Sequence, residues 1–503
     1  MIDDKSVKDT SGDVKTICRK YIVVENCDDT ALRFHMDISS ISCAYYHQKS
    51  QRKVGYPLND THNHTCNHVP RSPWKATTHL PRFPKLEENL STDVLIIGGG
   101  MAGILCAYML EQEGIDYMLV EAKTICSGMT ENTTAKLSVQ HGLICHRLIQ
   151  KFGEEKTRMY LDANQEALQE YEKLCRTIDC DFVKTDSFVY SLDQPELLNK
   201  EMEAMRRLNL PAQRVYELPL SFQTAGAVKL PGQAQFHPLK FIKGILETYK
   251  LNIYEHTMVR SIHGKTACTD CSTITAQEII VATHFPFINR HGSYFLKMFQ
   301  HRSYFMAFEA DNLPNLNGIY VDDNEMGMSF RNYQNLLFMG GGAHRTGKQG
   351  GGWEEIKNFA AQHYPDAKEK YRWAAQDCMT LDGVPYIGRY SLLTPNLYVA
   401  TGFNKWGMTS SMAAAKILTD LILENKSPYA EVFSPSRTML RGQLFINMAE
   451  ATKNLLTPAV PRCTHLGCAL KWNEAEHSWD CPCHGSRFEE DGNLINNPAT
   501  RSK

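Results

Sequence analysis

Six cysteine and histidine side chains lie in two short boxes near the end of the sequence. The boxes read CTHLGC at residues 463–468 and CPCHGS at residues 481–486. Each box combines cysteine with histidine, as C-x-H in the first and C-x-x-H in the second. Thiolate and imidazole groups at this spacing are suited to a zinc site or a redox cluster, and the cysteines alone would suit a pair of disulfides.

The mixed composition of the boxes favours a redox cluster over zinc. A zinc finger usually pairs cysteine with cysteine and histidine with histidine. A [2Fe–2S] cluster with two thiolates on one iron and two imidazoles on the other needs one of each from each box. The two boxes strongly resemble the signature of the Rieske family.

The Rieske resemblance implies roles for all six side chains. Two cysteines would bind one iron and two histidines the other: Cys463, Cys481, His465 and His484. The two remaining cysteines, Cys468 and Cys483, would form a disulfide between the boxes. That implied bridge conflicts with the reduced state expected of thiols in a cytoplasmic protein.

A second motif, at residues 94–121, predicts dinucleotide binding. Gly98, Gly100 and Gly103 form G-x-G-x-x-G between an apolar strand and an apolar helix. Such glycines allow a tight turn, close approach of the pyrophosphate and close packing of helix and strand. The helix N-terminus attracts phosphate, and Glu121, at the end of the next strand, can accept hydrogen bonds from ribose hydroxyls.

Residues 72 to about 425 resemble the FAD-dependent amino-acid and amine oxidases. The resemblance is carried by TLDGVPYIGRY at residues 380–390 and by LYVATGFNKWGMTSSMAAAKILTDLI, which begins at residue 397. It implies that FAD is the dinucleotide. It also implies that the loop containing Gly402, Gly407 and Met408 lies against the isoalloxazine ring.

Two further segments carry residues whose roles rest on the same resemblance. In SGMTENTTAKL, residues 127–137, Thr133, Thr134 and Lys136 are predicted flavin contacts, with ordinary loop residues as the alternative. In GMSFRNYQNLLFMGGG, Arg331 is the candidate anchor for a substrate carboxylate, since guanidinium pairs with carboxylate through two hydrogen bonds. The alternative for Arg331 is a surface or structural arginine.

The elements that must position these residues predict an α/β protein. We expect a Rossmann-like FAD-binding domain with an interleaved α+β substrate domain at 72–426, a linker at 427–462 and a small all-β Rieske segment at 463–503. Few strand patterns surround the two boxes, so the Rieske segment is predicted to be incomplete. Residues 1–71 are polar and weakly periodic, which predicts a disordered extension rather than a metal site in THNHTCNH.

Composition and charge limit the other classes of function. The chain has 503 residues and a net charge of −2, without basic runs, so no nucleic-acid partner is expected. Three consecutive glycines interrupt the apolar stretch at 94–110, which excludes it as a transmembrane helix, and the N-terminus lacks a secretory signal. A cytoplasmic location follows as an expectation.

The lone C-x-x-C at Cys268 and Cys271 is predicted to be a hairpin tip.

These patterns predict an FAD-dependent oxidoreductase that oxidises an amine or amino acid and passes electrons from flavin to a Rieske [2Fe–2S] cluster. An external electron acceptor would then receive them. The alternative is a non-catalytic flavin and iron–sulfur carrier, or a redox sensor. A zinc-stabilised module on a degenerate oxidase is a third interpretation.

Overall fold

A computed structural model describes residues 70–458 and 461–503 of the chain. All but the last two residues of the predicted extension at 1–71, including the THNHTCNH segment, lie outside the described residues. Within them, no helix has the length and apolar character needed to cross a membrane.

Ten helices lie within the described residues. Their bounds are α1 Pro73–Thr77, α2 Met101–Gln112, α3 Cys145–Leu174, α4 Pro195–Arg207, α5 Pro238–Thr248, α6 Tyr294–Lys297, α7 Gly352–His363, α8 Gly407–Leu423, α9 Ala430–Phe433 and α10 Gly442–Leu456.

The strands of the described residues form three sheets. Their bounds are β1 Leu90–Ile97, β2 Tyr117–Val120, β3 Lys136–Leu137, β4 Val183–Ser191, β5 Gln213–Val215, β6 Gly226–Gln235, β7 Ile253–Tyr254, β8 Ser261–His263, β9 Thr266–Cys268, β10 Thr273–Val281, β11 Met298–Glu309, β12 Gly318–Asp322, β13 Ser329–Tyr333, β14 Leu336–Arg345, β15 Lys368–Thr380, β16 Tyr386–Arg389, β17 Leu397–Thr401, β18 Lys471–Asn473, β19 Ser478–Asp480, β20 Arg487–Phe488 and β21 Leu494–Asn496.

The first sheet carries the dinucleotide motif. Its strand order is β16-β17-β10-β1-β2-β7, with the hairpin β8–β9 attached to β10, and β17, β10, β1, β2 and β7 run parallel. Side chains of β1 alternate between two cores, with Ile96 in one and Leu95 in the other. Burial on both faces explains why this strand is apolar throughout, as expected for a parallel sheet.

The second sheet has nine strands and is mostly antiparallel. Its order is β15-β11-β14-β13-β12-β4-β6-β3, with β5 beside β6, and only β12 and β4 pair in parallel. Its strands come from two chain segments that lie between strands of the first sheet, one between β2 and β7 and the other between β10 and β16. The predicted α/β fold, a Rossmann-like domain with an interleaved α+β domain, is therefore confirmed.

The third sheet lies in the cluster-binding segment, which we define as residues 461–503. It is antiparallel in the order β18-β19-β20-β21. Helix α10 lies inside the predicted linker and contacts this segment, since the Ala469 amide donates to the carbonyl of Asn454 at 3.0 Å. The predicted small all-β unit is thus present, while the domain boundaries at 426 and 462 stay predictions.

Candidate active site

The turn between β1 and α2 can be built only with glycine at two positions. Gly98 has a φ of +115°, and a Cβ there would lie 2.6 Å from the carbonyl oxygen of Ala282. A Cβ on Gly103 would lie 1.9 Å from the carbonyl oxygen of Gly98. The first glycine therefore permits the turn, and the second lets α2 pack against it, as the sequence motif predicts.

A cavity of about 580 Å³ extends from this turn to the start of α8. We call it the dinucleotide cavity. Five of the predicted cofactor contacts line it: Gly98, Gly100, Glu121, Gly407 and Met408. Gly103 and Gly402 are not among its lining residues; a Cβ on Gly402 would lie 2.3 Å from Cγ2 of Thr380, so this glycine permits close packing.

Glu121 is fixed at the cavity by two backbone amides. Its carboxylate accepts from the Gly99 amide at 2.8 Å and from the Lys123 amide at 2.8 Å. Burial raises the pKa of this carboxyl, while the two amides oppose the rise. The fixed carboxylate and the glycine turn at the start of α2 fit the ribose and pyrophosphate of a dinucleotide.

A second cavity, of about 470 Å³, adjoins the first. We call this second cavity the substrate cavity. Thr133, Thr134 and Lys136 line it and do not line the dinucleotide cavity. The two cavities share four lining residues: Met129, Asp377, Gly407 and Met408. This shared wall is the place where a cofactor in one cavity would meet a substrate in the other.

Lys136 and Asp377 are two of the charged side chains that line the substrate cavity. Burial lowers the pKa of Lys136 to about 7, assisted by the nearby cations Arg331 and Lys405. Burial raises the pKa of Asp377, which nearby Lys405 partly offsets. Within the described part of the chain, Lys136 has no side-chain hydrogen bond or ion pair, so its ammonium group is available to a ligand.

The guanidinium group of Arg331 is buried among aromatic rings. Its guanidinium is 4.8 Å from the ring centre of Phe338 and 5.6 Å from that of Trp74. Nη1 donates to Oε1 of Gln235 at 2.7 Å, while Nε and Nη2 are buried without a hydrogen-bond partner. Burial lowers the pKa of Arg331 to about 9. Arg331 does not line either cavity, and its role as substrate anchor stays a prediction.

The two Cys/His boxes form facing loops at one end of the third sheet. Each loop closes on itself, since the Gly467 amide donates to the Cys463 carbonyl at 3.0 Å and the Gly485 amide donates to the Cys481 carbonyl at 2.9 Å. The rings of His465 and His484 lie 5.0 Å apart between centres. One predicted histidine ligand from each loop therefore lies beside the other, while the full ligand set of Cys463, His465, Cys481 and His484 stays a prediction.

The histidine nitrogens test whether this site fits a [2Fe–2S] cluster. Nδ1 of both His465 and His484 is buried and lacks a hydrogen-bond partner, which is costly unless it ligates a metal. Burial lowers the pKa of His465 to about 4 and that of His484 to about 3, so both rings are in the neutral form that a metal requires. Two thiols and two neutral imidazoles fit a Rieske cluster.

The remaining two cysteines lie beside these ligands. Cys468 and Cys483 are thiols in the structure, and their sulfur atoms and that of Cys481 all lie within 4.8 Å of one another. This proximity is compatible with the implied bridge. The disulfide itself stays a prediction.

A pair of buried glutamines connects the dinucleotide cavity to the second cluster loop. Gln376, on β15, lines the cavity, and its Nε2 donates to the Gly485 carbonyl at 2.8 Å and to Oε1 of Gln300 at 2.6 Å. Gln300, on β11, donates in turn to the carbonyl of His484 at 2.5 Å. On the first loop, Nε2 of His465 lies 2.9 Å from Oδ1 of Asn289.

Sequence reasoning did not identify these connecting residues. Gln300, Gln376 and Asn289 belong to no recognised motif, and each contacts a residue at least 109 positions away along the chain. Asp377 was missed for the same reason. The only local signal is that Gln376 and Asp377 precede the TLDG segment on one buried strand.

Comparisons with known families match both parts of the chain. The profile of the family described as FAD dependent oxidoreductase matches residues 93–421, and that of the Rieske [2Fe-2S] domain matches residues 438–502. The second match begins before α10, earlier than the two boxes. Both resemblances stated from the sequence are confirmed, and so are the two cofactors, FAD and a [2Fe–2S] cluster.

Individual proteins share this architecture in whole or in part. The protein YhfW of Bacillus subtilis, named as a Rieske 2Fe-2S iron–sulfur protein, is 32% identical over 87% of this chain and 98% of its own length. Gamma-glutamylputrescine oxidoreductase of Escherichia coli is 24% identical over 71% of this chain and 89% of its own. Glycine oxidase of Geobacillus kaustophilus shares the fold, with a TM-score of 0.59 and 20% identity over 69% of this chain and 99% of its own.

Proposed function

Because this chain belongs to the family of FAD-dependent oxidoreductases and carries a Rieske domain, we propose that it oxidises an amine or amino acid and passes the electrons to its [2Fe–2S] cluster. FAD supplies two-electron oxidation of a carbon–nitrogen bond, and the cluster supplies one-electron transfer. Two similar proteins, named as a glycine oxidase and a gamma-glutamylputrescine oxidoreductase, support a nitrogen-bearing substrate. An external acceptor takes the electrons from the cluster.

The connection through Gln376 is the observation that carries the electron-transfer part of the proposal. One side chain lines the dinucleotide cavity and also binds the loop that contains the ligand His484. Gln376 and Gln300 are 2% and 1% exposed, so neither can exchange its partners for water without opening the interior. These bonds hold the cluster loop against the wall of the dinucleotide cavity, which supports transfer of electrons from a flavin bound there.

The substrate cavity supports an amino acid as the substrate. We infer that Lys136 binds a carboxylate and that Asp377, on the wall shared with the dinucleotide cavity, binds the amino group. Opposite charges on two side chains of one cavity would orient a zwitterion, with the carbon–nitrogen bond towards the flavin. Arg331 remains the alternative carboxylate anchor that the sequence predicts.

The test is anaerobic mixing of the purified holoenzyme with a panel of amines and amino acids. We expect one class to bleach the flavin absorbance and then to produce the electron paramagnetic resonance signal of a reduced Rieske cluster. Bleaching without a reduced cluster would contradict the electron transfer. A flavin that no compound bleaches would favour the alternative of a non-catalytic carrier or sensor.

A matched control separates the two steps. In the Cys481→Ser variant one predicted thiolate ligand of iron is replaced, and we expect the substrate to bleach the flavin while the cluster signal is absent. The Cys268→Ser variant removes a thiol on the β8–β9 hairpin, outside both cavities, and should behave as the unmodified protein.

A further inference from the structure

The last residues of the chain form part of the dinucleotide cavity. We define residues 494–502 as the C-terminal tail. Eight of its nine residues line the cavity: Leu494, Ile495, Asn496, Asn497, Ala499, Thr500, Arg501 and Ser502. These residues follow the second Cys/His box. The cluster-binding segment therefore also forms one wall of the dinucleotide cavity.

Hydrogen bonds connect the tail to the FAD-binding domain on both sides of the glycine turn between β1 and α2. Nδ2 of Asn497 donates to the carbonyls of Thr283 and Phe285 at 2.6 and 2.7 Å, in the segment that follows β10. Nζ of Lys123, two residues after Glu121, donates to the Ile495 carbonyl at 3.0 Å. The guanidinium of Arg260 donates to the Thr500 carbonyl.

The same tail is fixed to both cluster boxes. The amide of Ala499 donates to Oγ of Ser486 in the second box at 3.0 Å, and both residues are fully buried. In the first box, Oγ1 of Thr464 donates to the carbonyl of Arg501 at 2.8 Å. The tail is therefore held between the cluster loops and the flavin domain.

We propose that residues 494–502 belong to the FAD-binding site and retain the adenosine half of the cofactor. Glu121 marks that half, because a carboxylate at the end of the second strand accepts hydrogen bonds from the ribose. Lys123 and Arg260 place the tail on this side of the cavity. Release of FAD then requires the tail to leave its position, so retention of the flavin depends on the docked cluster-binding segment. This inference does not rest on electron transfer between the cofactors.

The rate of FAD release from full-length holoenzyme tests the proposal. Asn497→Ala removes the side-chain amide that donates to the carbonyls of Thr283 and Phe285. We expect FAD to leave about tenfold faster, as measured by the fluorescence of the freed flavin. Asn493→Ala is the matched control. Asn493 lies four residues earlier, is exposed and bonds only Asp491 through its side chain, so FAD release should be unchanged.

Hydrogen–deuterium exchange of the unmodified protein gives a second test that needs no variant. Amides of the tail should exchange more slowly with FAD bound than after FAD removal, whereas amides of β18 and β19 should exchange at similar rates. Tail amides that exchange equally with and without FAD would overturn the proposal. If the two tests disagree, or if Asn497→Ala does not fold, the exchange result decides.

Discussion

The side-chain amide of Gln376 donates to the carbonyl of Gly485 at 2.8 Å and joins the wall of the dinucleotide cavity to the second Cys/His loop. Gly485 directly follows the predicted ligand His484, and Gln300 fixes the His484 carbonyl from the neighbouring strand. Two adjacent backbone carbonyls of the second Cys/His loop thus accept hydrogen bonds from two side chains of the second sheet. These two buried amides hold the second cluster loop against the wall of the dinucleotide cavity.

Replacing Gln376 by methionine should slow electron transfer from flavin to cluster. The change keeps the length of the side chain but leaves the Gly485 carbonyl without a donor, at a cost of about 1–3 kcal/mol. We expect reduction of the flavin by substrate at the normal rate and slower appearance of the reduced cluster in rapid-freeze spectra. Gln277→Met, on an exposed position of β10, is the control. Equal rates of cluster reduction in the two variants would contradict the positioning role.

The buried carboxylate of Glu476 should make attachment of the cluster-binding segment sensitive to acid. Burial raises the pKa of Glu476, but Arg302 and Arg487 outweigh this effect and hold the pKa at about 2. Nε of Arg302, on β11, donates to Oε1 of Glu476 at 2.9 Å, and Arg487 lies 3.0 Å from Oε2. Because the pKa is depressed on folding, the stabilisation of roughly 3 kcal/mol is complete above about pH 4.5. It is lost as the pH falls towards 2.

The corresponding variant is Glu476→Gln. It should destabilise the protein by about 3–5 kcal/mol near neutral pH, since two buried guanidinium groups lose their shared carboxylate. Unfolding by denaturant, followed at several pH values, measures both effects. Glu474→Gln, an exposed neighbour, should leave the curve unchanged. A Glu476→Gln protein that keeps the acid transition of the unmodified protein would show that other carboxyl groups cause it.

The features that could be predicted from the sequence are those formed by residues that lie close together along the chain. The glycines of the β1–α2 turn and the ligands of each cluster loop lie within a few residues of one another, and the local backbone alone brings each group together. A dinucleotide and an iron–sulfur cluster followed from these motifs, whereas FAD followed from the resemblance of the segments beginning at residues 380 and 397 to the amino-acid and amine oxidases. The order of strands in the first sheet likewise agrees with the alternation of apolar strands and helices.

Features that depend on distant pairing could not be predicted. Pairing of the short strand β3 with β6 places Lys136 on the substrate cavity, while its contact with the flavin stays a prediction. Arg331 precedes the glycine strand as expected, yet Trp74 and Phe338 from other elements enclose its guanidinium. The contact of the tail with the first sheet depends on how three sheets dock, which no local pattern encodes.

Cys468 and Cys483 are expected to form a disulfide in the purified holoenzyme. Their sulfur atoms lie within 4.8 Å of each other at buried positions, where a bridge would tie the two cluster loops and be shielded from reductants. Alkylation after unfolding in the absence of reductant, followed by mass spectrometry, should leave both cysteines unlabelled. Exposed Cys271 is the internal control and should be labelled. Alkylated Cys468 and Cys483 would refute the bridge.

The Michaelis constant for an amino-acid substrate should rise above neutral pH. The pKa of Lys136 is lowered by burial to about 7, so its ammonium group loses its proton as the pH increases through that value. Loss of a charged partner weakens binding of a carboxylate by about tenfold to a hundredfold. Initial rates measured across this pH range, with substrate in excess of protein, give the profile.

Two substitutions identify Lys136 as the group that titrates. Lys136→Arg keeps the charge, because guanidinium stays protonated, and should remove the rise in the Michaelis constant above pH 7. Lys136→Met should give a high constant that does not change with pH, while Lys200→Met, on the exposed side of α4, should reproduce the unmodified profile. If Arg331 binds the carboxylate instead, all three variants should keep a low Michaelis constant. Lys136 would then be left with the flavin contact that the sequence predicts.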